Sequence, residues 1–252
     1  LASVGKDDAA NEARTALASA GVVPLLVETE EARTGNASVI VDEMGENLIA
    51  VQLGANLHLE PHHLAAEADR LGGAKVYVTQ LEVSDADVQA TREMADEAEA
   101  ISILNAAPAR LEAREAVAGF DIVVLNRLEA ELFAEVGIQS LVDVFAALRA
   151  IKNLGARSVI ATLGEAGAAI LHDGETRHLE APSVETVDGT GAGDAFVGAL
   201  AALLAGGMEL EDAARSACLC GALATTGIGA RTSYADREAL ERFEKERGLD
   251  EE

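Results

Sequence analysis

Val187-Asp188-Gly189-Thr190-Gly191-Ala192-Gly193-Asp194-Ala195-Phe196-Val197-Gly198 runs a glycine-rich turn straight into an apolar helix, with an acid at the junction. Glycines let successive backbone N–H groups converge on one point, and the start of a helix adds its positive dipole end. Such a pocket suits a phosphate or a developing negative charge. A carboxylate there, that of Asp194, is placed to take a proton from a hydroxyl group. The stretch reads as a phosphoryl-transfer site; the plainer reading is a turn that only caps a buried helix.

Outward from this turn, strand-like and helix-like segments alternate. Leu1–Val4, 75–80, 101–104, 121–125 and 157–162 read as strands, and helical patterns cover 7–20, 61–71, 84–100, 127–135 and 141–154. Three helices close the chain near 194–205, 209–225 and 235–246. Strands separated by helices imply a parallel sheet with helices on both faces, and ligands then collect beyond the carboxyl ends of the strands. Two hairpins interrupt the alternation. One joins 37–42 to 47–53 through Glu43-Met44-Gly45-Glu46 and projects as part of a small lid; the other spans 167–180 around Asp173-Gly174.

The 252 residues fit one large α/β domain. Aromatics make up 3% of the chain, without tryptophan, so the core must be built from Leu, Val, Ile and Ala. The formal net charge of −25 argues against a nucleic acid or an anionic membrane as partner, because the long-range field repels polyanions. Lysine occurs only at Lys6, Lys75, Lys152 and Lys245. This acidic, lysine-poor bias resembles that of proteins from salt-accumulating halophiles. The longest uncharged run, Ala195–Met208, is too short to span a bilayer, and the cytoplasm is the expected compartment. Cys218 and Cys220 fit neither zinc spacing nor a disulfide framework, and read as free thiols. No Gly-Lys-Ser/Thr phosphate loop occurs, which excludes a Walker-type nucleotidase.

Two further constellations follow predicted strands. Asn126 and Glu129 place an amide and a carboxylate one helical turn apart at a strand's carboxyl end, a pairing suited to hydrated Mg²⁺ near phosphates. The same pair is also a capping box, and the two readings are compatible. Thr162-Leu163-Gly164-Glu165-Ala166-Gly167 follows the next strand, its glycines permitting close backbone approach.

In this order and spacing, the motifs resemble those of the ribokinase (PfkB) family of sugar and nucleoside kinases. Thr34-Gly35, Gly54-Ala55-Asn56, Gln80-Leu81-Glu82 and Asn105-Ala106-Ala107-Pro108-Ala109-Arg110 look like its ribokinase branch. The resemblance implies a ribokinase-like three-layer sandwich, α/β with a mainly parallel central sheet, as a single domain over 1–252. A partial β-lid would come from a hairpin at about 23–53. Asp194 would be the catalytic base, with the N–H groups of Gly191, Ala192 and Gly193 as anion hole. Asn126, Thr162, Gly164 and Gly167 would hold ATP, and Glu129 would hold Mg²⁺ through water. Glu82, with Asp194, would contact the sugar. Asp188, Thr190, Gly229 and Ser233 would surround a monovalent cation such as K⁺.

Two departures stand out. Gly189 occupies a place where many members have Thr or Pro. Residue 1 also aligns inside the family pattern, past the first strand with its Asn-x-Asp sugar clamp and past a Gly-Gly-x-Gly-Ala-Asn loop.

The activity expected from the resemblance is ATP-dependent phosphorylation of a sugar hydroxyl, with ribose ahead of fructose, 2-keto-3-deoxygluconate and nucleosides. The alternative is a nucleotide-binding remnant serving as a regulatory or partner-binding protein. Family members often pair through lid strands, and a homodimer is left open. A dinucleotide-dependent oxidoreductase fits poorly, since the glycine turn lies near the C-terminus with no second βαβ unit after it. The charge itself yields a test. The thermal midpoint should rise as KCl is raised towards molar concentrations, and equal stability in dilute buffer would remove the halophile argument.

Overall fold

Where each element begins is decided largely by polar caps, and where it is buried by alternation along the strands. The computed structural model describes residues 1–41 and 47–246, which group into two compact units.

The first unit comprises Leu1–Gly73 and Gln80–Met94. In it β1 (Ala2–Gly5) pairs in parallel with β2 (Leu26–Thr29), with α1 (Asp8–Ser19) as the crossover between them. Together they form a two-stranded sheet of their own. Asp7 caps α1, accepting from the Ala10 N–H at 3.0 Å, and also accepts from the Thr34 hydroxyl at 2.6 Å and the Thr34 N–H at 2.9 Å. The Thr34 hydroxyl, then the two N–H donors, hold this carboxyl below the usual carboxylate range.

A two-stranded antiparallel sheet, β3 (Asn36–Val41) with β4 (Asn47–Gln52), carries the first hairpin. The turn expected at 43–46 lies outside the described residues. At the hairpin's base the backbone crowds: a Cβ on Gly35 would sit 2.7 Å from the Leu53 carbonyl, and one on Gly54 2.4 Å from that of Arg33. Gly35 and Gly54, within Thr34-Gly35 and Gly54-Ala55-Asn56, thus have a packing reason for being glycine.

The helix expected over 61–71 is interrupted. Glu67 (φ −103°, ψ 10°) separates α2 (Pro61–Ala66) from α3 (Ala68–Leu71).

The second unit, Ala74–Thr79 with the chain from Ala95 on, holds a six-stranded sheet. Its chain-order strands are β5 (Val76–Gln80), β6 (Ile101–Asn105), β7 (Ile122–Asn126), β8 (Ser158–Thr162), β9 (Ala168–His172) and β10 (Glu175–Leu179), and they lie in reverse of that order across the sheet. β6, β7 and β8 run parallel, while β9 and β10 close the edge as an antiparallel hairpin. Asp173 and Gly174 turn that hairpin with φ of 48° and 84°, the double positive φ that suits strand twist.

Alternate residues of β7 serve opposite faces. Ile122 and Val124 join Ile103, Ile160 and Ile170 against Phe196, Leu200 and Ala217, which lie on α7 (Ala192–Ala205) and α8 (Leu210–Ala224). Between them Val123 and Leu125 are buried as well, on the other face, and α5 (Arg127–Ala134) and α6 (Leu141–Lys152) pack on β7, β8 and β9. Both faces of the inner strands are therefore dry, which is why they read as near-continuous apolar runs. Cys218 belongs to this core, and burial pushes its thiol up to about 11, leaving it inert. α9 (Arg237–Glu246) completes the described chain.

Leu200 has no exposed surface, whereas Val142 is 75% exposed. Leu200→Ala should cost ~2–5 kcal/mol in denaturant unfolding, and Val142→Ala less than ~0.5 kcal/mol. Equal costs would contradict the assignment of the core.

Candidate active site

Two of the polar residues singled out in the sequence emerge where the buried strands end. Asn126 closes β7 and Thr162 closes β8, and the two are register partners across the parallel pair. Asn126 also caps α5. Its side chain accepts from the Glu129 N–H at 2.9 Å, and Glu129 Oε2 accepts in return from the Asn126 N–H at 2.7 Å. Burial, the larger effect, pushes the Glu129 carboxyl above the usual range despite that hydrogen bond. Its other oxygen makes no bond among the described residues, and a desolvated carboxylate of this kind is one that a nearby cation would relieve.

Past β8 the chain turns through Gly164–Ala166, with the Leu163 N–H donating to the Gly167 carbonyl at 2.8 Å. The two glycines here differ in what they do. A Cβ on Gly164 would meet open space, although φ is +63°, whereas one on Gly167 would lie 2.0 Å from the Leu179 carbonyl. Gly167 is thus required by the close approach of the β9–β10 hairpin.

The glycine turn at 187–194 is fastened by Asp188. One carboxylate oxygen accepts from the Thr190 N–H at 2.9 Å, the other from the Gly229 N–H at 2.8 Å. These donors, with the Thr190 hydroxyl first, hold the Asp188 carboxyl below its ordinary value. Asp188, Thr190 and Gly229 are thereby brought together. The Ser233 hydroxyl donates to the Ala230 carbonyl at 2.8 Å in the same loop.

α7 begins at Ala192, two residues before the start read from the sequence, so that Gly191 (φ 83°) is its N-cap and Asp194 its third residue. The helix has no side-chain cap. The Ala192 N–H donates to the Gly189 carbonyl at 3.3 Å, whereas those of Gly191, Gly193 and Asp194 meet no acceptor among the described residues. First-turn donors have no partner within their own helix, so this end is open to an anion. A Cβ on Gly193 or Gly189 would point into empty space; one on Gly191 would strike Ala230 at 2.9 Å.

Asp194 is exposed, and its Oδ2 accepts from the Tyr234 hydroxyl at 3.3 Å. Burial, followed by the charge of Asp194 and this hydrogen bond, pushes the phenol up to about 12, so it remains a donor at neutral pH. Sequence reasoning misses Tyr234. It sits in a loop 40 residues from its partner, and no motif spacing marks it.

Glu82 belongs to the first unit, where its N–H donates to the side chain of Gln80. The Ala107–Pro108 peptide within 105–110 is cis. At the opposite, amino ends of the strands a cleft of about 670 Å³ includes Asp121, Arg157, Ser158 and His172. There Arg157 pairs with Asp121 at 2.6 Å, and the Ser158 hydroxyl is engaged by His172 at 2.8 Å. No trio of His, Cys, Asp or Glu among the described residues is placed to hold a metal by itself, and none of the described helices is long and apolar enough to cross a membrane.

Comparison with known proteins gives this geometry a context. The ribokinase of Mus musculus is 33% identical over 218 residues, covering 84% of this chain and 68% of that protein. The deoxyribokinase of Salmonella typhi is 31% identical over 245 residues, covering 96% and 80%. In fold, the chain is similar to Arabidopsis thaliana ribokinase complexed with ribose and ATP, with a TM-score of 0.86 at 24% identity over 96% of this chain and 80% of that one. Residues 1–237 match the pfkB family carbohydrate kinase pattern. The chain belongs to the pfkB family of carbohydrate kinases, enzymes that pass a phosphoryl group to a sugar hydroxyl.

Proposed function

We propose that this carbohydrate kinase is of the ribokinase type and transfers the γ-phosphoryl group of ATP to ribose or a closely related pentose. The observation that carries the proposal is the start of α7. An exposed carboxylate, Asp194, stands beside the uncommitted N–H groups of Gly191 and Gly193. A base next to preorganised donors is what phosphoryl transfer to an alcohol needs, since the work of catalysis there is positioning and charge stabilisation.

In this scheme Asp194 takes the proton of the attacking sugar hydroxyl. The turn at 191–193 offers its N–H groups to the transferring phosphoryl oxygens, Gly193 with its donor free and Ala192 by giving up its 3.3 Å bond to Gly189. Asn126, Thr162 and the Gly164 turn line the nucleotide side, at the carboxyl ends of β7 and β8. Gly193 owes its small size to no neighbouring atom, as expected where a ligand approaches the backbone, whereas the φ of +63° accounts for Gly164. Gly167 contributes indirectly, by shaping the loop.

The half-buried Glu129 carboxylate, with one oxygen uncommitted, fits a Mg²⁺ held through water. When bound, that ion supplies neutralisation of phosphate charge. For a monovalent cation, both Asp188 oxygens are taken by N–H donors, so the main-chain carbonyls of 188, 190, 229 and 233 would have to supply the ligands. Glu82 is the proposed sugar contact. The relatives' names, ribokinase and deoxyribokinase, and the Arabidopsis complex support ribose-like sugars and ATP.

Asp194→Asn should lower turnover of ribose by ~10²–10⁴-fold. Its affinity for a non-hydrolysable ATP analogue, measured by calorimetry, should stay within about threefold, less than 1.4 kcal/mol. Turnover retained in this variant would exclude Asp194 as base. Binding of the analogue that is indifferent to Mg²⁺ would remove the assignment of Glu129.

A further inference from the structure

An acid three positions into a helix can fold back on its own cap, and in this protein two of them do. At α5, Glu129 accepts from the Asn126 N–H at 2.7 Å. At α6, Asp143 accepts from the Ser140 N–H at 2.8 Å. In α4 (Asp85–Glu97), Asp87 accepts from the hydroxyl of Ser84, the residue before the helix, at 2.5 Å, and not from its N–H. Such boxes satisfy donors that the helix leaves open. Asp212 of α8 makes no such bond, so the position alone does not dictate the outcome.

Asp194 is the third residue of α7 and could close the same box on the Gly191 N–H. That would fold the base back on its own helix and cover an anion-binding donor. In the structure Asp194 instead turns outward to the Tyr234 hydroxyl, and the Gly191 N–H stays open. Tyr234 is itself fixed against the turn: its Cε1 lies 3.1 Å from where a Cβ of Gly191 would be. The ring leans on the cap residue while the hydroxyl holds the acid.

We infer that Tyr234 is a positioning residue that keeps Asp194 out of the capping box, leaving both the carboxylate and the Gly191 N–H available to substrate. The inference rests on the reading of Asp194 as base. It assigns Tyr234 no contact with the reacting atoms. At 3.3 Å the bond is long for an O–H···O pair, so the effect is moderate rather than absolute.

Tyr234→Phe keeps the ring and removes only the hydroxyl. Its kcat should fall about 3- to 10-fold, the span of a modest hydrogen bond. KM for ATP and ribose should stay within about twofold, and the thermal midpoint should hold or rise because a cap is regained. A kcat unchanged from wild type, or a loss of kcat that tracks a loss of stability, overturns the inference.

A second measurement needs no turnover. In amide NMR, the Gly191 N–H signal should move in Tyr234→Phe as Asp194 takes it up, and return when Asp194→Ala is added. A Gly191 signal indifferent to Tyr234→Phe overturns the inference even if the chain proves inactive. The two readings fail differently. Turnover surviving in Asp194→Asn removes the base while the Gly191 response stands; an inactive Asp194→Asn beside a fully active Tyr234→Phe removes Tyr234 alone.

Discussion

The two-sided burial of β7 and β8 governs the arrangement of the second unit. Ile122 to Leu125 and Val159 to Ala161 are all buried, covered by α5 and α6 on one face and by α7 and α8 on the other. A polar side chain within those runs would lose water and gain no partner, at a cost of several kcal/mol by general transfer scales, roughly 2–7. Polar chemistry is therefore displaced to the strand ends. Beyond these apolar runs, Asn126 and Thr162 are the polar residues that end the two strands, and they do so at the same level.

Helix starts then do a second job. Each leaves N–H groups without intrahelical partners, and the chain resolves this in different ways. α5 and α6 close capping boxes and so consume their own donors. α7 has glycine at its cap, and its third residue, Asp194, is bonded to Tyr234 instead, so the Gly191 and Gly193 N–H groups stay open.

Much of this was legible in the sequence because the deciding features are local. The alternation of strands and helices, the Asn126–Glu129 box and the glycine turn before α7 all follow from spacing within a few residues. The β9–β10 hairpin was announced by Asp173-Gly174, whose positive φ values bear out a two-residue turn. What escaped was non-local or depended on close packing. β1 pairs with β2 in a sheet of its own, which periodicity does not reveal. The break at Glu67 falls inside a helical pattern without Gly or Pro to mark it. The need for glycine at 167 that comes from the Leu179 carbonyl is made only once the hairpin folds. Tyr234 could be found only from coordinates.

Asp188 has a consequence for behaviour in acid. Its depressed pKa means that the link from the glycine turn to Gly229 is fully present above the ordinary carboxylate range, and is lost as pH falls through the lowered folded-state value. Protonation there turns an acceptor of two N–H bonds into a group that must give one up. The loop leading to Tyr234 would then be untied from the turn carrying Asp194.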